Sequence, residues 1–117
     1  MKEKTRILIV DDDVMTCKSL SLIFKKKGYE TESATTGKEA LEITKNNSFN
    51  IALLDLKLPD MDGIELISPI KERWPEVKVI VLTMYGSYRA DALASGADAF
   101  LVKGCPAEEL LEAILGH

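Results

Sequence analysis

Aromatic residues are scarce in this chain, at 6% of 117 positions, and it carries only two cysteines, four prolines and one histidine. Cys17 and Cys105 lie far apart and match no metal or redox spacing, so they read as small apolar fillers in a reducing compartment. A strong charge excess is also missing. Lys and Arg total 15 against 19 for Asp and Glu, a net charge of −4, so the dominant basic patch of a nucleic-acid binder is absent and no direct nucleic-acid contact is expected. The triple lysine 25–27 is the one basic run. No long hydrophobic stretch occurs either: Ile7-Leu8-Ile9-Val10 is too short for a signal-peptide core or a membrane span, and three aspartates end it. A soluble, cytoplasmic protein is expected. No repeat, linker or low-complexity stretch divides the sequence, so residues 1–117 read as one domain, with 46% apolar residues and a core that needs no disulfide or metal staple.

What is present is an alternation of short apolar runs with segments of helical period. Candidate strands are Arg6 to Val10, Glu30 to Ala34, Ile51 to Leu54, Val77 to Leu82 and Ala99 to Val102. Three are nearly unbroken apolar runs, as suits strands covered on both faces in a parallel sheet. The polar Glu30-Thr31-Glu32-Ser33 reads as an edge strand. Between them fall five helices. Cys17, Leu20 and Phe24 form the first stripe, with the three lysines at a C-terminus stopped by Gly28, where cations complement the helix dipole. Ala40, Leu41 and Thr44 form the second. Ile64, Ile67, Ile70 and Trp74 form the third, with Asp62 as its cap and Pro69 expected to kink or shorten it. Ala90, Leu93, Ala94 and Ala97 form the fourth. Ala107, Leu110, Leu111 and Ile114 form the fifth, with Pro106 at its start. Five β-α repeats predict an α/β, flavodoxin-like (βα)5 fold: a five-stranded parallel sheet of order 2-1-3-4-5 with helices on both faces.

Polar residues stand where these strands end. Asp11-Asp12-Asp13 close the first, Asp55 the third, Thr83 the fourth and Lys103 the fifth. In open α/β sheets ligands bind at these ends, beside the point where strand order reverses. Clustered carboxylates repel unless a cation or proton joins them, and an all-oxygen set suits Mg²⁺. A hydroxyl and an ammonium on the same rim can bind phosphoryl oxygens, and a carboxylate can become an aspartyl-phosphate. Singly, each residue has an ordinary explanation as cap, strand end or surface charge, and Asp13 reads as a cap. Together they point to phosphoryl chemistry on an aspartate.

The sequence resembles the receiver domains of two-component response regulators over essentially its whole length. The resemblance rests on Ile7–Asp13, on Asp55-Leu-Lys-Leu-Pro-Asp-Met-Asp-Gly63, on Val-Ile-Val-Leu-Thr83 and on Gly96-Ala-Asp-Ala-Phe-Leu-Val-Lys103. It implies that Asp55 is the phosphoacceptor. It also implies that Asp11, Asp12, Asp55 and the backbone carbonyl of Lys57 hold Mg²⁺, and that Thr83 and Lys103 contact the phosphoryl oxygens. Phe100 falls at the family's switch aromatic: phosphorylation would draw Thr83 inward and open space for Phe100, altering the face of the fourth helix, fifth strand and fifth helix. The implied partners are a sensor histidine kinase or phosphotransfer protein and a downstream protein or output domain. A homodimer through the fourth and fifth helices is within the family's repertoire.

The sequence also departs from the family pattern. The segment Thr83–Gly96 is about two residues short of the family's usual length, judged from the resemblance. Met84 is larger than the residue many relatives carry there. Lys57 and Tyr85 flank the pocket and are expected to shield an aspartyl-phosphate from water. Gly104 replaces the proline that often follows this lysine, so the Lys103-Gly104 bond is either trans or unusually constrained, and the sequence leaves the isomer open. His117, the one histidine, makes a poor phosphohistidine donor. Two rival readings stand beside the receiver. In a haloacid-dehalogenase-type phosphatase, Asp11 would be the nucleophile and Asp13 the general acid. A pseudo-receiver would bind a partner without phosphorylation. The receiver reading makes the chain a signalling phosphoacceptor that catalyses only its own phosphorylation and dephosphorylation.

Overall fold

The computed structural model describes residues 4–115; His117 lies outside them. Five strands, β1 (Arg6–Val10), β2 (Glu30–Ala34), β3 (Ile51–Leu54), β4 (Lys78–Thr83) and β5 (Ala99–Val102), alternate with α1 (Val14–Lys26), α2 (Gly37–Asn46), α3 (Ile64–Arg73), α4 (Arg89–Ala94) and α5 (Ala107–Leu115). The strands pair in parallel in the order β2-β1-β3-β4-β5, as the sequence predicts, with the polar β2 at an edge. After β2 the chain crosses back past β1, so the right-handed crossover rule places α2, α3 and α4 on the opposite face from α1, while α5, after the last strand, returns to the face of α1.

Side-chain alternation along the strands divides the core accordingly. Ile7, Ile9, Leu53, Ile80 and Leu82 pack with Cys17, Leu20 and Phe24 of α1 and with Leu110 and Ile114 of α5. Leu8, Val10, Leu54, Val79 and Val81 face Ala40 of α2, Leu66, Ile67 and Ile70 of α3, and Ala92 and Phe100. Both cysteines are free thiols; Cys17 is buried and Cys105 half-buried.

Three expectations need correction. The fourth strand runs one residue later than predicted, because Val77 N–H is used in a turn onto Trp74 O and pairing begins at Lys78, whose N–H donates to Asn50 O. Thr83 is therefore inside the strand, opposite Val102. In α4 the buried residue is Ala92, whereas Ala90, Leu93 and Ala94 face solvent. An alanine-rich, six-residue helix offers too little contrast for periodicity to fix its phase. Asp62 does not cap α3 with its side chain: Gly63 holds the cap position and Glu65 N–H bonds the Asp62 backbone carbonyl instead. Separately, α3 runs through Pro69 to Arg73, with the proline on its exposed side.

Candidate functional site at the strand ends

Strand pairing extends just past β1, β3 and β5 and so fixes the backbone of each candidate residue. Asp11 N–H donates to Ala34 O at 3.1 Å, Asp55 N–H to Val10 O at 2.8 Å, and Lys103 N–H to Thr83 O at 2.8 Å. Asp11, Asp55 and Thr83 are buried, at 3%, 5% and 0% exposure, while Asp12 is exposed. This is the crevice beside the β1–β3 reversal, where an open parallel sheet leaves room for a ligand.

Lys103 Nζ lies 2.7 Å from Asp11 Oδ2 and 2.8 Å from Asp55 Oδ2. One ammonium thus joins two buried carboxylates that would otherwise repel. Burial pushes the Asp11 carboxyl above the usual range, against the opposing hydrogen bond from Lys103. Burial alone would lower Lys103, but its hydrogen bonds to Asp11 and Asp55, with their charges, hold the ammonium above its ordinary value. Backbone amides take the other oxygens: Asp13 N–H donates to Asp11 Oδ1 at 2.9 Å and Leu56 N–H to Asp55 Oδ1 at 2.7 Å. Carboxylate oxygens of Asp11, Asp12 and Asp55 lie within 4.8 Å of one another. Three converging carboxylates with no nitrogen or sulfur donor fit a hard divalent cation that keeps part of its water.

The loop after Asp55 is held in two ways that the sequence did not reveal. Gly63 N–H donates to Leu56 O at 2.7 Å, and a Cβ at Gly63 would overlap the Asp55 backbone carbonyl, so only glycine fits this approach. Asp60 reaches across to cap α2, its Oδ1 accepting from Gly37 N–H at 2.8 Å and its Oδ2 from Lys38 N–H at 2.9 Å. Those two amides hold the Asp60 carboxyl below its usual value. The Asp-Met-Asp-Gly spelling held no signal for this contact, because its partner lies 23 residues away in sequence.

Lys57 and Tyr85 meet each other, and Tyr88 joins them. Lys57 Nζ sits 3.1 Å from Tyr88 Oη and over both rings, 5.0 Å from the Tyr88 centroid and 5.4 Å from that of Tyr85. Thr83 Oγ1 accepts from Tyr85 N–H at 3.4 Å, and Met84 projects into solvent at 66% exposure. Phe100 is already turned inward, at 6% exposure, with the Arg89 guanidinium 5.9 Å from its ring centroid. The Lys103-Gly104 bond is trans, as no cis peptide occurs among the described residues.

Asp13 stands apart. Its carboxylate caps α1, accepting from Met15 N–H at 3.0 Å and Thr16 Oγ1 at 3.0 Å. Those bonds, the Thr16 hydroxyl foremost, lower its pKa. With that carboxylate engaged as a helix cap, nothing in the site supports the phosphatase reading built on Asp11 and Asp13. Nor does the pseudo-receiver reading find support, since the pocket side chains converge.

Comparison with known proteins agrees with this geometry. The family model "Response regulator receiver domain" matches residues 7–115. The transcriptional regulatory protein ZraR of Klebsiella oxytoca is 37% identical over 103 residues, which is 86% of this chain but 23% of that protein. The photosynthetic apparatus regulatory protein RegA of Rhodobacter capsulatus is 36% identical over 112 residues, 93% of this chain and 60% of RegA. The chain thus spans about a quarter of the ZraR relatives. Among solved structures, a CheY-like receiver domain protein from Methanospirillum hungatei superposes with a TM-score of 0.92 at 40% identity, covering 97% of this chain and 93% of that one. TrrA of Thermotoga maritima, solved with Mg²⁺-BeF, gives 0.89 at 32% identity over 96% and 97%. Sequence, sheet order and converging strand-end side chains lead to one conclusion: the chain belongs to the receiver domains of two-component response regulators, a family of phosphoacceptor signalling domains.

Proposed function

We propose that Asp55 is the phosphoacceptor of this receiver and that Mg²⁺ is its cofactor. The observation that carries the reading is the Lys103 ammonium shared between Asp55 and Asp11 within a cluster of three carboxylates. One Asp55 oxygen attacks phosphorus, an O–P bond forms, and the bond to the donor nitrogen or oxygen breaks with its electron pair leaving on the donor. Lys103 then transfers its contact from the carboxylate to the new phosphoryl oxygens, and the Thr83 hydroxyl donates to them from the floor of the pocket. Asp11, Asp12, Asp55 and the Lys57 backbone carbonyl would hold Mg²⁺, which offsets phosphoryl charge when bound.

The domain acts once per phosphoryl group received, and its enzymatic character is limited to its own phosphorylation and dephosphorylation. Its donor is a sensor histidine kinase or phosphotransfer protein. Its readout runs through Thr83 and Phe100 to the α4-β5-α5 face and from there to a downstream protein or output domain. Among the described residues no helix is long and apolar enough to cross a membrane.

Intact mass after incubation with acetyl phosphate and Mg²⁺ tests the site. One adduct is expected that needs Mg²⁺ and disappears in Asp55→Ala. Phosphate release that survives Asp55→Ala and stops in Asp11→Ala would overturn the assignment.

A further inference from the structure

We infer that Gly104 is a positioning residue whose left-handed backbone places the Lys103 ammonium between Asp11 and Asp55; the inference rests on the phosphoacceptor reading above.

Three observations carry it. Gly104 has φ +96°, and Cys105 N–H donates to Val102 O at 3.2 Å, closing a four-residue turn from Val102 to Cys105. No non-glycine residue among those described has positive φ, so Lys103 has negative φ and the pair forms a type II turn with Lys103 at its first corner and Gly104 at its second. The same turn begins from a fixed point, since Lys103 N–H is bonded to Thr83 O. The lysine is therefore held by strand pairing on one side and by the glycine on the other, and its Nζ reaches both carboxylates.

A Cβ built on Gly104 meets nothing within 4 Å. Substitution there makes no clash, so any effect comes from backbone conformation alone. An L-residue at this φ is disfavoured, and relief requires the Lys103-Gly104 peptide to turn over toward a type I geometry, which re-aims the bond leaving Lys103. Asparagine tolerates the left-handed region better than alanine does. The side-chain order Gly, then Asn, then Ala should therefore be the order of function, although Asn is the bulkier addition.

The test measures the initial rate of phosphorylation by acetyl phosphate and Mg²⁺ on the full chain, by intact mass. The variants are Gly104→Ala, Gly104→Asn, Lys103→Ala and the double variant Lys103→Ala/Gly104→Ala, with thermal melting of each. Gly104→Ala should slow adduct formation about tenfold and Gly104→Asn by about threefold or less. In the Lys103→Ala background Gly104→Ala should change nothing further, which a merely structural glycine would not produce. A second readout does not depend on phosphorylation: the slowly exchanging ammonium signal of Lys103 in a ¹H–¹⁵N spectrum, identified by its loss in Lys103→Ala. It should persist in Gly104→Asn and broaden away in Gly104→Ala. Equal rates for wild type and Gly104→Ala, or an unchanged Lys103 signal in Gly104→Ala, would overturn the inference while leaving Asp55 as acceptor. Absence of any Asp55-dependent adduct in wild type would overturn the phosphoacceptor reading, and the ammonium signal would still decide the role of Gly104.

Discussion

Lys103 Nζ lies 2.8 Å from Asp55 Oδ2, and the same ammonium lies 2.7 Å from Asp11 Oδ2. The proposed acceptor carboxylate thus shares its charge with the side chain proposed to bind its phosphoryl group. Removing the ammonium leaves two buried carboxylates without a shared cation. Breaking a fully buried pair costs roughly 3–5 kcal/mol, and with Lys103 partly in water a loss of about 1–3 kcal/mol is expected for Lys103→Met. A divalent cation can take over the neutralising role. Added Mg²⁺ should therefore raise the melting temperature of Lys103→Met more than that of wild type, as read by thermal scans with Mg²⁺ and with EDTA. An equal response in the two proteins would show that ammonium and metal do not share these oxygens.

The Asp60 cap on α2 predicts a pH dependence. Its carboxyl is lowered by the Gly37 and Lys38 amides, so its contribution is present above the ordinary value of 3.8 and lost as pH falls through the lower folded value. Asp60→Ala should melt a few degrees below wild type at neutral pH. The gap should close as the buffer is taken below pH 3.8. A gap of constant size across that window would assign the effect to something other than the carboxylate.

Gly63 and Gly86 provide a paired test of close approach. A Cβ at Gly63 collides with the Asp55 backbone, whereas one at Gly86 meets Val102 Cγ2 at an ordinary 3.5 Å. Gly63→Ala should cost more than about 2 kcal/mol in urea unfolding and also slow adduct formation on the proposed acceptor, because relief of the clash moves the Asp55 backbone. Gly86→Ala should leave the unfolding midpoint within about 0.5 kcal/mol of wild type. Similar costs at the two sites would contradict the packing described at Gly63.

Lys57 bridges the loop after β3 to Tyr85 and Tyr88 beyond β4, a cation and two rings two to five residues past Asp55 and Thr83 in the chain. If this group shields an aspartyl-phosphate on Asp55, its removal admits water. After the donor is removed, decay of the phosphorylated mass should be slow in wild type. It should be about tenfold faster in Lys57→Asn/Tyr85→Glu, whose polar side chains can orient water. An unchanged or slower decay would show that the bridge does not shield the site.

The sequence alone was enough for the sheet order and for which polar residues stand at the strand ends. Unbroken runs such as Ile7–Val10 and Val79–Leu82 bury themselves on both faces, and the polar residues that end them are forced to the sheet's rim. These signals are local, carried by neighbours in the chain. Tertiary structure alone decided which atoms meet. The phase of α4 was hidden because alanines on either side of a short helix differ little in hydrophobicity, and packing against the sheet selected Ala92. Asp60 became the cap of α2, Tyr88 the partner of Lys57, and Lys103 the link between Asp11 and Asp55, all across 20 or more residues. Such contacts depend on side-chain reach across folded elements, which periodicity in the chain does not encode.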